Sequence, residues 1–430
     1  MNSNWEIAES LTAVGIFLVV THACGSLANR FRQPYVTGEI LGGLLLGPTL
    51  LGVLAPGLFA SFFHSTPRIE LGLNFIYQFG FMLLMFCSGL EIDPKIDPKH
   101  RKTVLSLGLA ATFVTIIISY TFLLFFDFSN YVGTVQNQTT LKFILAIMAA
   151  VTSIPVISRI FVDLGILNTS FAKNILSIAV LDDLILYIAL GVALSWQGSQ
   201  STQPDSSHVG YLNEWVKGLA PTTSLIALAV GQLLIVYGGV RIGRKLLRVI
   251  EAGPFRFLAE KSPTAFLLSL LITVTALGMK IGISPFLSAF ASGIIASSLK
   301  KTREPSSIEL KQFAYGFFIP IYFGVVGFRI DLIKDFSWVL MASLFFFLTF
   351  SKVIAVYVCS LFSNLNRIQN WQYALTLSAK GGPGIVIATV ALDAGIINPT
   401  LSNTLIVISL FSSAIVGAFL SREKILGRIQ

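Results

Sequence analysis

The chain has 430 residues, of which 54% are hydrophobic and only 12% charged, and its mean hydropathy is +0.79. Soluble domains carry about 25% charged residues, so this composition excludes a soluble enzyme or a soluble binding module and defines an integral membrane protein. A net charge of +9 does not indicate nucleic acid, because the basic residues gather in alternate connections between apolar runs.

Thirteen such runs follow one another, most within or near the roughly 17–25 residues that a helix needs to cross about 30 Å of hydrocarbon. They cover 7–28, 35–56, 70–90, 103–126, 141–162, 171–195, 222–248, 264–280, 284–299, 309–330, 337–362, 370–393 and 401–421. The ninth is short enough to be re-entrant. The first carries Glu6 and Glu9, has no basic leader and precedes no A-x-A-like cleavage site, so a retained helix is expected rather than a signal peptide. A Ser-, Gln- and Gly-rich stretch at 196–221 separates the first six runs from the last seven, and a short tail, 422–430, ends the chain.

With the N-terminus outside, the cytoplasmic connections hold 22 of the 30 lysines and arginines, against five on the other side: Arg68, Lys217, Lys280, Arg329 and Lys334. The largest groups are Lys95 to Lys102, Arg241 to Lys261, and Lys300 to Lys311. This bias predicts thirteen spans with the C-terminus in the cytoplasm. Cys24, Cys87 and Cys359 all fall inside apolar runs, where small buried hydrophobes are expected.

The sixth run contains "AVLDDLILYIAL", with Asp182 and Asp183 at its midpoint. Each costs about 2.5–3.5 kcal/mol to insert, so intramembrane carboxylates face a protein interior or a wet cavity and mark ion pathways. Neighbours on a helix point about 100° apart, which predicts a division of labour: one aspartate binds the transported ion and the other is held by a buried cation. Lys352 in "FLTFSKVIAVYV" and Lys380 in "SAKGGPGIV" are the two candidates for that cation. Arg159 and Lys173 lie near span ends and suit interfacial anchoring. His22 suits a hydrogen-bonded helix position, and Glu39 lies near a span end where solvation is equally open.

Two runs carry built-in breaks. In "AAVTSIPVISRI", Pro155 removes a backbone donor and should free carbonyls around Val151. In "AKGGPGIVI", Gly381, Gly382 and Gly384 with Pro383 act more severely. Folding runs 1–6 and 8–13 about run 7 pairs the broken fifth with the broken twelfth in opposite orientation. Paired interruptions in inverted halves point to a transport site at the midplane.

The blocks "GEILGGLLLGPTLLG" at 38–52, "FCSGLEIDP" at 86–94, "VTSIPVISRIFVDLGILNTSFAKNILSIAVLDD" at 151–183, "SPFLSAFASGIIAS" at 284–297 and "FIPIYFGVVGFRIDL" at 318–332 resemble the monovalent cation:proton antiporter-2 family. The resemblance implies an all-α integral membrane protein of about 13 transmembrane helices, with inverted repeats, two crossed broken helices, and an elevator-like core working against a dimerisation scaffold in a homodimer. It implies scaffold helices in 1–92 and 264–332, core helices in 103–195 and 337–421, and an outside loop with a linker helix in 196–250. It further implies Asp183 as carrier of the monovalent cation and proton, Asp182 paired with Lys352, and Thr152 and Ser153 as nearby oxygen ligands. Many relatives read Arg-Gly-Glu before the second break; this chain reads Lys380, Gly381, Gly382, Pro383, without the glutamate.

The expected function is exchange of sodium, or lithium or potassium, for protons across a membrane of the bacterial inner (plasma) type, with no cofactor and no nucleic acid. A potassium/proton antiporter or a regulated potassium efflux subunit is the alternative. A membrane-embedded enzyme or receptor finds no support, since no H-E-x-x-H, G-x-S-x-G or His/Cys cluster stands in a span.

Overall fold

A computed structural model of the chain describes residues 3–31, 33–63, 67–91, 101–167, 169–200, 221–252, 261–299, 304–363 and 365–427. In chain order the helices are α1 (Ser3–Arg30), α2 (Tyr35–Leu46), α3 (Leu51–Leu54), α4 (Pro56–Phe63), α5 (Pro67–Glu91), α6 (Arg101–Leu123), α7 (Gln138–Ala150), α8 (Ile154–Asp163) and α9 (Ser170–Gln200). They continue as α10 (Pro221–Ala252), α11 (Pro263–Ile281), α12 (Pro285–Ala296), α13 (Glu304–Phe313), α14 (Ile319–Phe328), α15 (Trp338–Ser360), α16 (Arg367–Thr376), α17 (Gly381–Asp393) and α18 (Pro399–Ile425). A π-helical turn, Ala314–Phe318, joins α13 to α14. Each of the thirteen apolar runs falls on one helix or on successive helices.

Among the described residues, seven helices are long and apolar enough to cross a membrane, or eight if the pair α16 and α17, bent by 42°, counts as one broken span. The second run passes as Tyr35–Leu54, whereas the fifth misses the test as a continuous helix because it is divided between α7 and α8. Much of the polar stretch at 196–221 lies outside the described residues, as do Arg32, Lys95, Lys99, Lys217, Arg256, Lys300, Lys301, Arg303 and Arg428 of the charge pattern.

The chain divides into two compact units. One comprises Met1–Phe31, Tyr35–Pro94 and Gly198–Asp331, and the other Arg32–Pro34, Lys95–Gln197 and Leu332–Gln430. Glycine sets the helix spacing in the first unit. A Cβ on Gly43 of α2 would run into the backbone of Gly324 on α14, one on Gly327 into Ile40, and one on Gly89 of α5 into Phe290 and Gly293 of α12. Such close approach maximises packing where lipid supplies no hydrophobic drive between helices. Accordingly, Gly43→Val should lower the thermal stability of the detergent-solubilised protein by about 1–3 kcal/mol, the usual cost of overpacking. Gly15→Ala, where a Cβ meets nothing within 4 Å, should leave it unchanged. Equal melting of both variants would contradict this packing.

Two polar residues of this unit are also placed. His22 Nε2 lies 2.9 Å from Gly316 O on the π-turn, a hydrogen-bonded helix position. Glu39, which the sequence left open to solvent, is buried at 4% exposure, because α1 and α14 both pack on α2.

In the second unit, side-chain caps start the helices that frame the site. Asn137 accepts from Thr140 N at the start of α7, Ser337 from Leu340 N at α15, and Asn398 from Leu401 N at α18. Asn366 forms a full capping box with Gln369 at α16. Each satisfies backbone donors that the first helical turn leaves open. The loops at the outer ends of the broken pairs clip together. Gly133 N donates to Ile396 O, Val135 N to Gly395 O and Asn398 N to Tyr131 O, about the isolated bridge between Val132 and Ile397. Beside this clip, Asp127 accepts from the backbone N–H and hydroxyl of Ser129 and from Gln138, which holds its carboxyl below the ordinary value.

Candidate ion-exchange site

The two breaks meet in the second unit. Residues 151–153 are non-helical between α7 and α8, and Ser153 N donates to Ala379 O, in the break between α16 and α17, at 2.7 Å. The prolines act differently from the sequence expectation. Pro155 sits in the first turn of α8, where its missing N–H costs nothing, and Pro383 sits in the first turn of α17. They start the second half-helices rather than tearing the first ones open. Gly381 is needed in its own right: its φ is +44°, and a Cβ there would collide with Ser153 Oγ.

The carbonyls at the end of α7 are not open either. Lys380 Nζ donates to Met148 O at 2.9 Å and to Ala149 O at 3.0 Å, and Lys352 Nζ donates to Ala150 O at 2.8 Å. Both lysines are fully buried. A helix C-terminus leaves carbonyls unpaired and carries partial negative charge, and here two lysine Nζ groups cap three consecutive carbonyls. The carbonyls of residues 148–150, which the sequence expects to be freed, are thus occupied, and Lys380 caps two of them. Its backbone N is in turn held by Ser412 Oγ at 3.1 Å.

Asp182 is the hub. Lys352 Nζ lies 2.9 Å from its Oδ2, with both side chains fully buried. Thr152 Oγ1 lies 2.7 Å from the same oxygen and 2.8 Å from Leu377 O, and its single proton serves one of them at a time. Thr112 donates to Oδ1. The candidate ligand Thr152 is therefore engaged with Asp182, and the geometry brings together Asp182, Lys352 and Thr152. Ser153 Oγ is fully buried and finds no hydrogen-bond partner among the described residues. Asp183, the next residue of α9, is buried at 6% exposure. Val151 is fully buried at the end of α7, and Gly382 follows Gly381 at the start of α17. Of the span-end cations, Lys173 is exposed and Arg159 half-buried.

Sequence reading missed Thr112. The signal was available: Thr112, Thr115 and Ser119 repeat at helical spacing on one side of α6, and all three are fully buried. Thr112→Val should leave the protein folded while exposing the loss of one charge-assisted hydrogen bond, about 1.5–3 kcal/mol, in thermal unfolding. An unchanged melting temperature would remove Thr112 from the hub.

The two broken pairs also end alike. Gly165 after α8 and Gly395 after α17 both take positive φ, +63° and +66°. Counting equally far past each glycine reaches Asp182 and Asp183 on α9, and Ser412 and Ser413 on α18. One half carries carboxylates where the other carries hydroxyls.

An all-helical membrane protein with two interrupted helices crossing beside a buried aspartate–lysine pair is, by class, an ion-coupled transporter. The chain belongs to the sodium/hydrogen exchanger transmembrane family, whose sequence model matches residues 16–422. Among its relatives, the Na(+)/H(+) antiporter NhaS4 of Synechocystis sp. is 26% identical over 417 residues, covering 95% of this chain and 94% of that protein. The Na(+)/H(+) antiporter of Enterococcus hirae is 25% identical, covering 95% and 96%. The K(+)/H(+) antiporter 1 of Saccharomyces cerevisiae is 24% identical across 96% of this chain, but the match spans only 46% of that longer protein. The fold is shared with the sodium proton antiporter MjNhaP1 of Methanocaldococcus jannaschii, at a TM-score of 0.65 and 15% identity over 98% of both chains.

Proposed function

We propose that the protein exchanges sodium for protons across a cell membrane, with Asp183 as the carboxylate that carries cation and proton in turn. The observation that carries this assignment is the commitment of Asp182 to Lys352, Thr152 and Thr112. A carboxylate held by a salt bridge and two hydroxyls keeps its charge in place and is poorly suited to releasing a cargo. Its neighbour on α9 then takes the exchanging role, with Ser153 as the nearby hydroxyl and water completing the cation's shell.

The physical basis of exchange is competition. An ionised carboxylate away from water is costly unless it is paired or neutralised, and either a sodium ion or a proton neutralises Asp183. Only one fits at a time, so loading one cargo displaces the other. We further propose thirteen spans with the N-terminus outside and the C-terminus in the cytoplasm of a bacterial-type inner membrane. The second unit serves as the moving core of an elevator-type alternating access, and the first as the scaffold of a homodimer. The names of the Synechocystis and Enterococcus relatives support sodium as the cation; the yeast relative's name favours potassium as the alternative reading.

The test is proton movement in proteoliposomes, followed with a pH-sensitive dye while sodium, lithium, potassium and rubidium are added in turn. A sodium- or lithium-selective signal supports the proposal, a potassium-only signal moves the protein to the alternative, and the absence of any cation-dependent signal sinks both.

A further inference from the structure

The basic end of α10 carries a cluster that ion exchange does not use. Between 241 and 249 one exposed stripe combines two cations, Arg241 and Lys245, with three apolar side chains, Ile242, Leu246 and Val249, exposed by 62%, 57% and 62%. The spacing sets the cations one turn apart and the apolar residues beside them along the same side of the helix. The intervening Leu247 is buried, so the helix has a separate inward side and the stripe is not simply a frayed end. No acidic residue occurs between Pro221 and Ile250.

One stripe cation, Arg241, and its more inward neighbour Arg244 are held in place. Arg241 Nη1 donates to the Tyr237 hydroxyl at 3.0 Å, with its guanidinium 5.9 Å from the centre of that ring. Arg244 donates Nη2 to Ile294 O of α12 at 3.3 Å. Cations spread by snorkelling alone would satisfy a topology bias without such anchoring. A positive stripe anchored at Arg241, beside exposed isoleucine, leucine and valine, offers two surfaces to one amphiphile: phosphate contacts from the cations and a bed for an acyl chain. A second copy of this chain would set the same cations against one another.

We propose that the 241–249 stripe of α10 binds the headgroup phosphate and proximal acyl chain of an anionic phospholipid. Juxtamembrane cations contribute to such binding additively, about fivefold in affinity for each Lys or Arg. Arg241→Gln/Lys245→Gln should therefore weaken binding of phosphatidylglycerol roughly 25-fold.

The experiment titrates the full-length protein in detergent with phosphatidylglycerol, phosphatidylcholine or inorganic phosphate, reading thermal stability and, by native mass spectrometry, retained lipid. Phosphatidylglycerol should stabilise the wild type and be retained, phosphatidylcholine and phosphate should not, and the double variant should lose the effect while melting normally without lipid. Lys173→Gln, an exposed cation elsewhere, should bind as wild type. Equal stabilisation by phosphatidylcholine or by phosphate, full retention by the double variant, or an equal loss in Lys173→Gln would each overturn the proposal. Should the double variant fold poorly, Leu246→Gln supplies the second arm: it should reduce retention of the lipid, and unchanged retention would count against the acyl contact.

Discussion

Replacing Asp183 by asparagine is expected to abolish cation-dependent proton movement in proteoliposomes while leaving the melting temperature within a few degrees of wild type. Asparagine keeps the volume and one carbonyl oxygen but can neither take up a proton nor neutralise a sodium ion at neutral pH. Loss of transport without loss of stability would separate Asp183 from its neighbour, whose removal should do the opposite. Wild-type exchange by Asp183→Asn would refute the assignment of the carrier, whatever the cation.

Lys352→Ala is expected to produce the largest loss of stability of any single change discussed. It strands the Asp182 carboxylate in a fully buried place and also deprives Ala150 O of its donor. Breaking one side of such a pair costs about 3–5 kcal/mol, whereas replacing both partners by apolar groups is often neutral. A double-mutant cycle in thermal unfolding distinguishes the pair from general damage: Lys352→Met with Asp182→Leu should recover much of what Lys352→Ala loses. Residual exchange in a stabilised Lys352→Ala protein should remain measurable, in contrast to Asp183→Asn. Additive losses across the cycle would mean that the 2.9 Å contact holds little energy.

Much of this was legible in the sequence because a membrane imposes coarse rules. Length and hydropathy placed the apolar runs, and a carboxylate pair in oil identified α9. What the sequence could not show was the direction of each buried group. By position alone Lys352 and Lys380 are equal candidates for the aspartate, since both sit deep in apolar runs, and only the family resemblance pairs Lys352 with Asp182. Only the position of α7 relative to the second break shows that one ammonium meets both a carboxylate and a carbonyl, while the other meets carbonyls. Pro155 was misjudged for a related reason. A proline in an apolar run signals an interruption, but whether it breaks the helix before it or begins the one after depends on where the donors end. Thr112 was passed over because hydroxyls are common in apolar helices, where they bond their own backbone, as Thr115 does to Ala111 O.

The two buried ammonium groups have an electrical consequence. With Asp182 and Asp183 ionised and both lysines protonated, the four groups sum to zero. If Asp183 is the carrier as proposed, loading it with either sodium or a proton takes that sum to plus one. Each loaded crossing then transfers the same single charge whichever cargo is aboard, so the two strokes of one-for-one exchange cancel, no net current flows, and the membrane voltage supplies no driving force to the cycle. A current requires the two strokes to carry different total charge, as when a lysine releases its proton on the sodium-bearing stroke or Asp182 takes up a second proton on the return. On the proposed assignment, net charge movement is thus decided by the partners of the proposed carrier, the Asp182–Lys352 pair and Lys380, and not by the Asp183 carboxylate alone.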